Sequence, residues 1–160
     1  MGTPAITILK NRVLDWETNE KKDVTVAKFY RHWDGYIDGH GADIANALLN
    51  ASLTEHKKYI DFEGKECYKP VLNNRNWCQH FLKELLKQNM DIEFVDNDTG
   101  LCGDFTYVIT GECDNFGGKL DIDNVEYLIR INVKVYSGDE GEKLLFDGDG
   151  FNYLGWTIWN

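Results

Sequence analysis

No apolar run in this chain approaches the about 20 residues that a membrane-spanning helix needs. The opening residues, Met1-Gly2-Thr3-Pro4, lack the charged and apolar regions of a signal peptide. A cytoplasmic location with no membrane partner is therefore expected. The chain is also short of positive charge: 17 Lys and Arg stand against 27 Asp and Glu, for a net charge of −10. That balance excludes gripping a nucleic-acid backbone through a basic surface, which needs clustered Lys and Arg. It leaves open mimicry of such a backbone, or the binding of a basic partner surface. Any anion site would have to be built locally, against the overall field.

Several chemical motifs are missing as well. The four cysteines, Cys67, Cys78, Cys102 and Cys113, contain no C-x-x-C pair, which argues against a zinc ribbon or redox motif and for free thiols. There is no G-x-x-x-x-G-K-[ST] loop and no G-x-G-x-x-G after a strand. No Ser or Cys sits in a recognisable nucleophile elbow. The carboxylate-rich stretches at residues 121–124 and 147–150 lack the glycine and glutamate of a calcium loop and read as turns. No internal repeat or low-complexity tract appears. What is present is 160 residues, 42% apolar and 13% aromatic. They fit one globular domain, 1–160, long enough to bury a core.

Residues 5–9 alternate and predict a first strand; residues 24–30 predict a second. Between them a polar segment with Asn19 and Glu20 suits a turn, so the two can pair as a hairpin. Ile44, Ala45, Leu48 and Leu49 stand at helical spacing within residues 42–53. A second helix carries Trp77, Phe81, Leu82, Leu85 and Leu86 on one face, capped by Asn73 or Asn74. A short strand at residues 59–62 and a turn at Glu63-Gly64-Lys65 lie between the helices. From Asp91 on, the period is two. A short strand at residues 92–95 turns at Asp98-Thr99-Gly100. Phe105, Tyr107 and Ile109 share one face of the next strand, which ends at Gly111. A turn at Phe116-Gly117-Gly118 precedes the longest strand, residues 125–136, with Tyr127, Ile129, Ile131, Val133 and Val135 on one face. Residues 137–141 form a hairpin turn, residues 144–146 one more strand, and residues 151–160 a final strand or clasp. The predicted class is α+β: an N-terminal β-hairpin, two helices, then an antiparallel β-meander with the helices packed on one face of the sheet.

One stretch concentrates the chemistry: Tyr30-Arg31-His32-Trp33-Asp34-Gly35-Tyr36-Ile37-Asp38-Gly39-His40-Gly41. It reads as a strand, an elaborate turn and a helix start. Aspartate and glycine are common turn residues, and aromatics beside a turn seal a core edge. Yet Arg31 and two histidines beside Gly39-His40-Gly41 also suit a site, because free backbone N–H groups at a helix start favour an anion. Four groups, His32, Asp34, Asp38 and His40, are possible metal ligands, but their spacing matches no metal motif. No metal and no cofactor are expected. A histidine with Asp34 or Asp104 would make a base and its orienter. Arg31 with Tyr30, Trp33 or Tyr36 would hold a phosphate by charge and a base by stacking. Trp156 and Trp159 near the chain end would either seal the sheet or anchor a partner, including a second copy.

A strand running into Tyr-Arg-His-Trp-Asp-Gly-Tyr, followed by a glycine-containing helix start, resembles a family of small, largely uncharacterised proteins of bacteria and their phages. Residues 30–36 match that motif in full; Ile37 stands where the family has proline. A second similarity is Cys102-Gly103-Asp104-Phe105-Thr106-Tyr107-Val108, an acidic segment leading into an alternating strand. The similarity covers residues 5–147 loosely and is specific at the first motif. It implies a shared fold and a phage or prophage setting, in the host cytoplasm, where small acidic proteins often neutralise host factors.

The leading expectation is a non-enzymatic binding protein that sequesters a small anionic, nucleotide-like ligand or otherwise antagonises a host defence factor. Its expected site is Tyr30, Arg31, His32, Trp33, Asp34, Tyr36, Gly39, His40, Gly41 and Asp104. The alternatives are a protein-interaction or inhibitor module with an acidic, aromatic-rich surface, and a small hydrolase using His and Asp of the loop. A homo-oligomer remains open.

Overall fold

The structure, a computed structural model, describes residues 2–15, 17–51, 56–60, 62–70, 77–88, 91–96, 103–113, 120–121 and 129–159. In chain order these form β1 (Ala5–Asp15), β2 (Glu20–Arg31), a π-helical turn (Ile37–Gly41), α1 (Ala42–Asn50), β3 (His56–Ile60), β4 (Glu66–Pro70), α2 (Trp77–Gln88), β5 (Ile92–Val95), β6 (Phe105–Cys113), β7 (Leu120–Asp121), β8 (Ile129–Ser137), β9 (Lys143–Asp149) and α3 (Gly150–Trp159). A six-stranded sheet has the order β5-β2-β1-β6-β8-β9, and β3-β4-β7 form a smaller one.

The α+β class and the pairing of the two N-terminal strands are as expected. Strands β1 and β2 pair antiparallel from Ala5 opposite Arg31 to Asp15 opposite Glu20; β1 starts where expected but runs on past residue 9 to Asp15, and β2 starts earlier, at Glu20 rather than residue 24. Asn19 takes a left-handed φ of 58°, a conformation that Asn tolerates better than most residues and that closes the turn. Three features correct the expected layout. Strand β6 runs parallel to β1, with Ala5 beside Phe105, so the sheet is mixed, although in the second half of the chain β6, β8 and β9 pair antiparallel as expected. Strand β5 does not join that half; it pairs with the outer edge of β2, Lys28 opposite Val95. The chain end is a third helix, α3, not a strand. Asp149 caps it, accepting a hydrogen bond from Asn152 N at 2.8 Å, so residues 147–150 are a strand end and a helix start rather than a turn.

Alternation along the strands sorts the core. Ala5, Leu9, Phe29, Tyr107, Ile109, Ile131, Val133 and Val135 all point to one face and join the buried residues of the helices in one cluster. Helix α1 contributes Ile44, Ala45, Ala47 and Leu48, and α2 contributes Trp77, Cys78, Phe81 and Leu85, each at helical spacing. Cys78 is a free thiol; burial pushes its pKa up to about 12. Trp77 lies over Gly111, where a Cβ would run into the indole. The Trp77 Nε1 donates to Asn11 Oδ1 at 2.5 Å. In α3, Tyr153 is buried and Trp156 lies 4.9 Å from Phe146 between ring centroids. The expected cap at Asn73 or Asn74, the turns at residues 98–100 and 116–118, Tyr127, and Cys102 of the second similarity lie outside the described residues.

Candidate functional site

Strand geometry decides which way each residue of the motif faces. Phe29 and Arg31 are two apart on β2, so both side chains enter the helix-covered face. Tyr30 and His32 take the opposite one, with their rings edge-on at 4.5 Å. After His32 the chain leaves the sheet through a tight path. Asp34 has a left-handed φ of 57°. Gly35 N donates to Thr3 O at 2.7 Å, and a Cβ on Gly35 would meet that same oxygen at 2.6 Å. A Cβ on Gly39 would collide with the carbonyl of Asp34. These two close approaches explain the glycines without invoking a ligand. The turn then opens to π geometry, with Gly41 N donating to Tyr36 O at 3.2 Å and His40 N to Asp34 O at 2.7 Å. The wide turn carries the His40 side chain to the inside.

There His40 is fully buried. Arg31 Nη1 lies 3.2 Å from His40 Nδ1, and Thr7 Oγ1 lies 2.7 Å from Nε2. A guanidinium only donates, so Nδ1 must accept. The ring proton therefore sits on Nε2 and is donated to Thr7. Burial, reinforced by the Arg31 charge, pulls the His40 pKa down to about 3. The imidazole is neutral at ordinary pH. Arg31 is itself only 8% exposed, and Nη1 also donates to Asp43 Oδ2 at 2.7 Å. Asp43 stands in the first turn of α1, where a carboxylate complements the helix dipole. Two tyrosines close the group: Tyr107 OH donates to Gly35 O at 2.8 Å and Tyr153 OH to Gly41 O at 2.6 Å. Desolvation raises both phenol pKa values, so they remain donors.

The outer side differs. His32, Trp33, Asp34 and Tyr36 are exposed, Trp33 by 55% and Tyr36 by 38%. The Trp33 ring lies against Gly2. Tyr36 OH donates to Asp34 Oδ1 at 3.0 Å, and that bond raises the Tyr36 pKa. His32 Nε2 lies 3.3 Å from Glu93 Oε2.

The ten expected site residues are thus split. Arg31, His40 and Gly41 are inside, and Gly39 is half-buried within the turn. Tyr30 is half-buried on the opposite sheet face, while His32, Trp33, Asp34 and Tyr36 look outward. Asp104 is exposed across β1 from the loop, its N–H on Pro4 O at 2.9 Å. Neither histidine side chain of the motif reaches the carboxylate of Asp34 or Asp104: His40 bonds to Thr7 and Arg31, and His32 faces Glu93. Among the described residues no group of three or more His, Cys, Asp or Glu is arranged to hold a metal ion. Thr7, Asp43, Tyr107 and Tyr153 belong to the inner network and Glu93 to the outer rim. A buried tyrosine must find an acceptor, but nothing local in sequence identifies one 72 or 112 residues away.

No family model matches the chain, and no curated protein or solved structure matches it either. Among the described residues no helix is long and apolar enough to cross a membrane.

Proposed function

We propose that the protein is a non-enzymatic binding module that meets a protein partner through the outer side of the motif loop, with Trp33 and Tyr36 as aromatic anchors. The observation that carries this reading is an exposed tryptophan on a loop whose inner side is fixed. Large exposed aromatics are characteristic anchors of interfaces. A loop held by Gly35, His40 and Gly41 loses little conformational freedom when a partner docks. Of the two histidines that the sequence offers as a base, His40 has both nitrogens engaged in the fold. The motif resemblance, most specific at residues 30–36, adds a setting, a phage or bacterial protein that antagonises a host factor.

The test compares Trp33→Ala and Tyr36→Ala with Phe62→Ala, another exposed aromatic. Folding is checked by circular dichroism, and complexes formed in host extract are quantified by native mass spectrometry. The loop variants should lose the complex and Phe62→Ala should keep it. Equal retention by all three would reject the loop as the contact.

A second reading, sequestration of a small anionic, nucleotide-like ligand, is favoured by one observation. Arg31 Nε is buried with no hydrogen-bond partner. An anion reaching it would compete with Asp43 for the guanidinium. Nucleotide released on denaturing the purified protein would support this reading over the first.

A further inference from the structure

The chemistry around the loop narrows the partner. We infer that the sheet end carrying Trp33 and Tyr36 takes a lysine- or arginine-rich segment of a partner protein. The inference rests on the binding reading above and names the partner class for that same site.

Three backbone hydrogen bonds place four segments side by side. Gly35 N donates to Thr3 O, Asp104 N to Pro4 O and Gly138 N to Asp104 O, at 2.7, 2.9 and 3.0 Å. The register agrees: Arg31, Ala5, Phe105 and Ser137 occupy one row across β2, β1, β6 and β8. The motif loop, the start of β1, the start of β6 and the β8–β9 turn therefore share one end of the sheet. Strand β5 reaches the same end through Ile92, opposite Arg31. Residues 2–5, 32–41, 91–94, 103–106 and 136–144 make up this end. They contain eight carboxylates, one lysine and no arginine. All eight carboxylate residues are exposed, among them Asp34, Glu93, Asp104 and Glu142. Arg31, at the edge of this end, is inside and paired with Asp43. The opposite end of β1 and β2, residues 15–23, is less acidic, with four carboxylates against two lysines.

Acidity alone would not make a site. Here it surrounds two exposed aromatic side chains, Trp33 and Tyr36, and an ammonium or guanidinium is attracted to the face of Trp or Tyr. The Tyr36–Asp34 hydrogen bond sets a carboxylate beside the ring, so one cationic side chain can meet both. The same field repels a polyanion, and it speeds the approach of a cationic surface.

The test uses the whole chain with two labelled probes, an oligo-arginine peptide and an oligo-glutamate peptide of equal length. Asp34→Asn combined with Asp104→Asn neutralises the site; Asn accepts the left-handed backbone at position 34. Glu17→Gln combined with Glu20→Gln removes the same charge at the far turn. Oligo-arginine should bind and oligo-glutamate should not. Affinity should fall about tenfold in the site pair and less than about twofold in the far pair at low salt. Trp33→Ala should weaken binding about fivefold. Equal losses in both charge pairs would mean a general field and would overturn the inference. A native complex lost in Trp33→Ala but untouched by the site pair would overturn it too, while leaving the loop as a contact surface.

Discussion

The two sides of one loop behave differently. On the inner side, Arg31 and His40, the residues most suggestive of chemistry, are held by the fold through Asp43, Thr7 and each other, with Arg31 Nε left buried and without a partner. On the outer side, Trp33 and Tyr36 stand exposed on the scaffold that the inner side holds. A titratable residue in a motif is thus not a site until its partners are counted. Here buried polar residues fix the loop, and Trp33 and Tyr36 stay exposed on it.

The sharpest way to break this contrast is to remove a member of the inner ion pair. Asp43→Ala leaves the Arg31 guanidinium buried without its carboxylate. It should cost about 3 kcal/mol, or about 6–12 °C in melting temperature. Denaturant unfolding checks this, and a loss below about 1 kcal/mol would place the network outside the fold's support. Tyr153→Phe deprives the buried Gly41 carbonyl of its donor and should cost about 1–3 kcal/mol. Acid exposes the same network. Because the folded pKa of His40 lies near 3, below its unfolded value of about 6.5, the unfolded chain binds the extra proton between those values. Stability should fall as pH drops from about 6.5 toward 5, by up to about 1.4 kcal/mol per unit. A flat stability over that window would contradict the buried neutral ring. Trp33→Ala should change stability by less than about 1 kcal/mol while abolishing the complex. The smallest effect belongs to Arg12→Ala. Its pair with Asp23 is more than a third exposed on the arginine side and should contribute less than about 1 kcal/mol.

Much of this architecture is legible in the sequence, because most elements carry their own period or turn chemistry. The hairpin through Asn19, the helical spacing of Ile44, Ala45 and Leu48, the face shared by Tyr107 and Ile109, and the turn at Gly64 with its φ of 78° are local signals. The parallel pairing of β1 with β6 is not, since it joins residues about a hundred positions apart. Nor is the edge position of β5, which depends on which strand edge remains free. Helix α3 had a signal that its aromatic content masked. Asp149 supplies a cap, and Tyr153 and Thr157 repeat at a spacing of four on the buried side. At the site, the two-residue period on β2 already places Arg31 with Phe29 on the core side. His40 was hidden because a π turn, not a regular one, carries it inward.

The most direct test of the central claim is imidazole NMR of His40 across pH. The ring should stay neutral, with its proton on Nε2, throughout the folded range down to about pH 5. A His40 ring that titrates near 6.5 in the folded protein, or that carries its proton on Nδ1, would contradict the inner network and the division of the loop that rests on it.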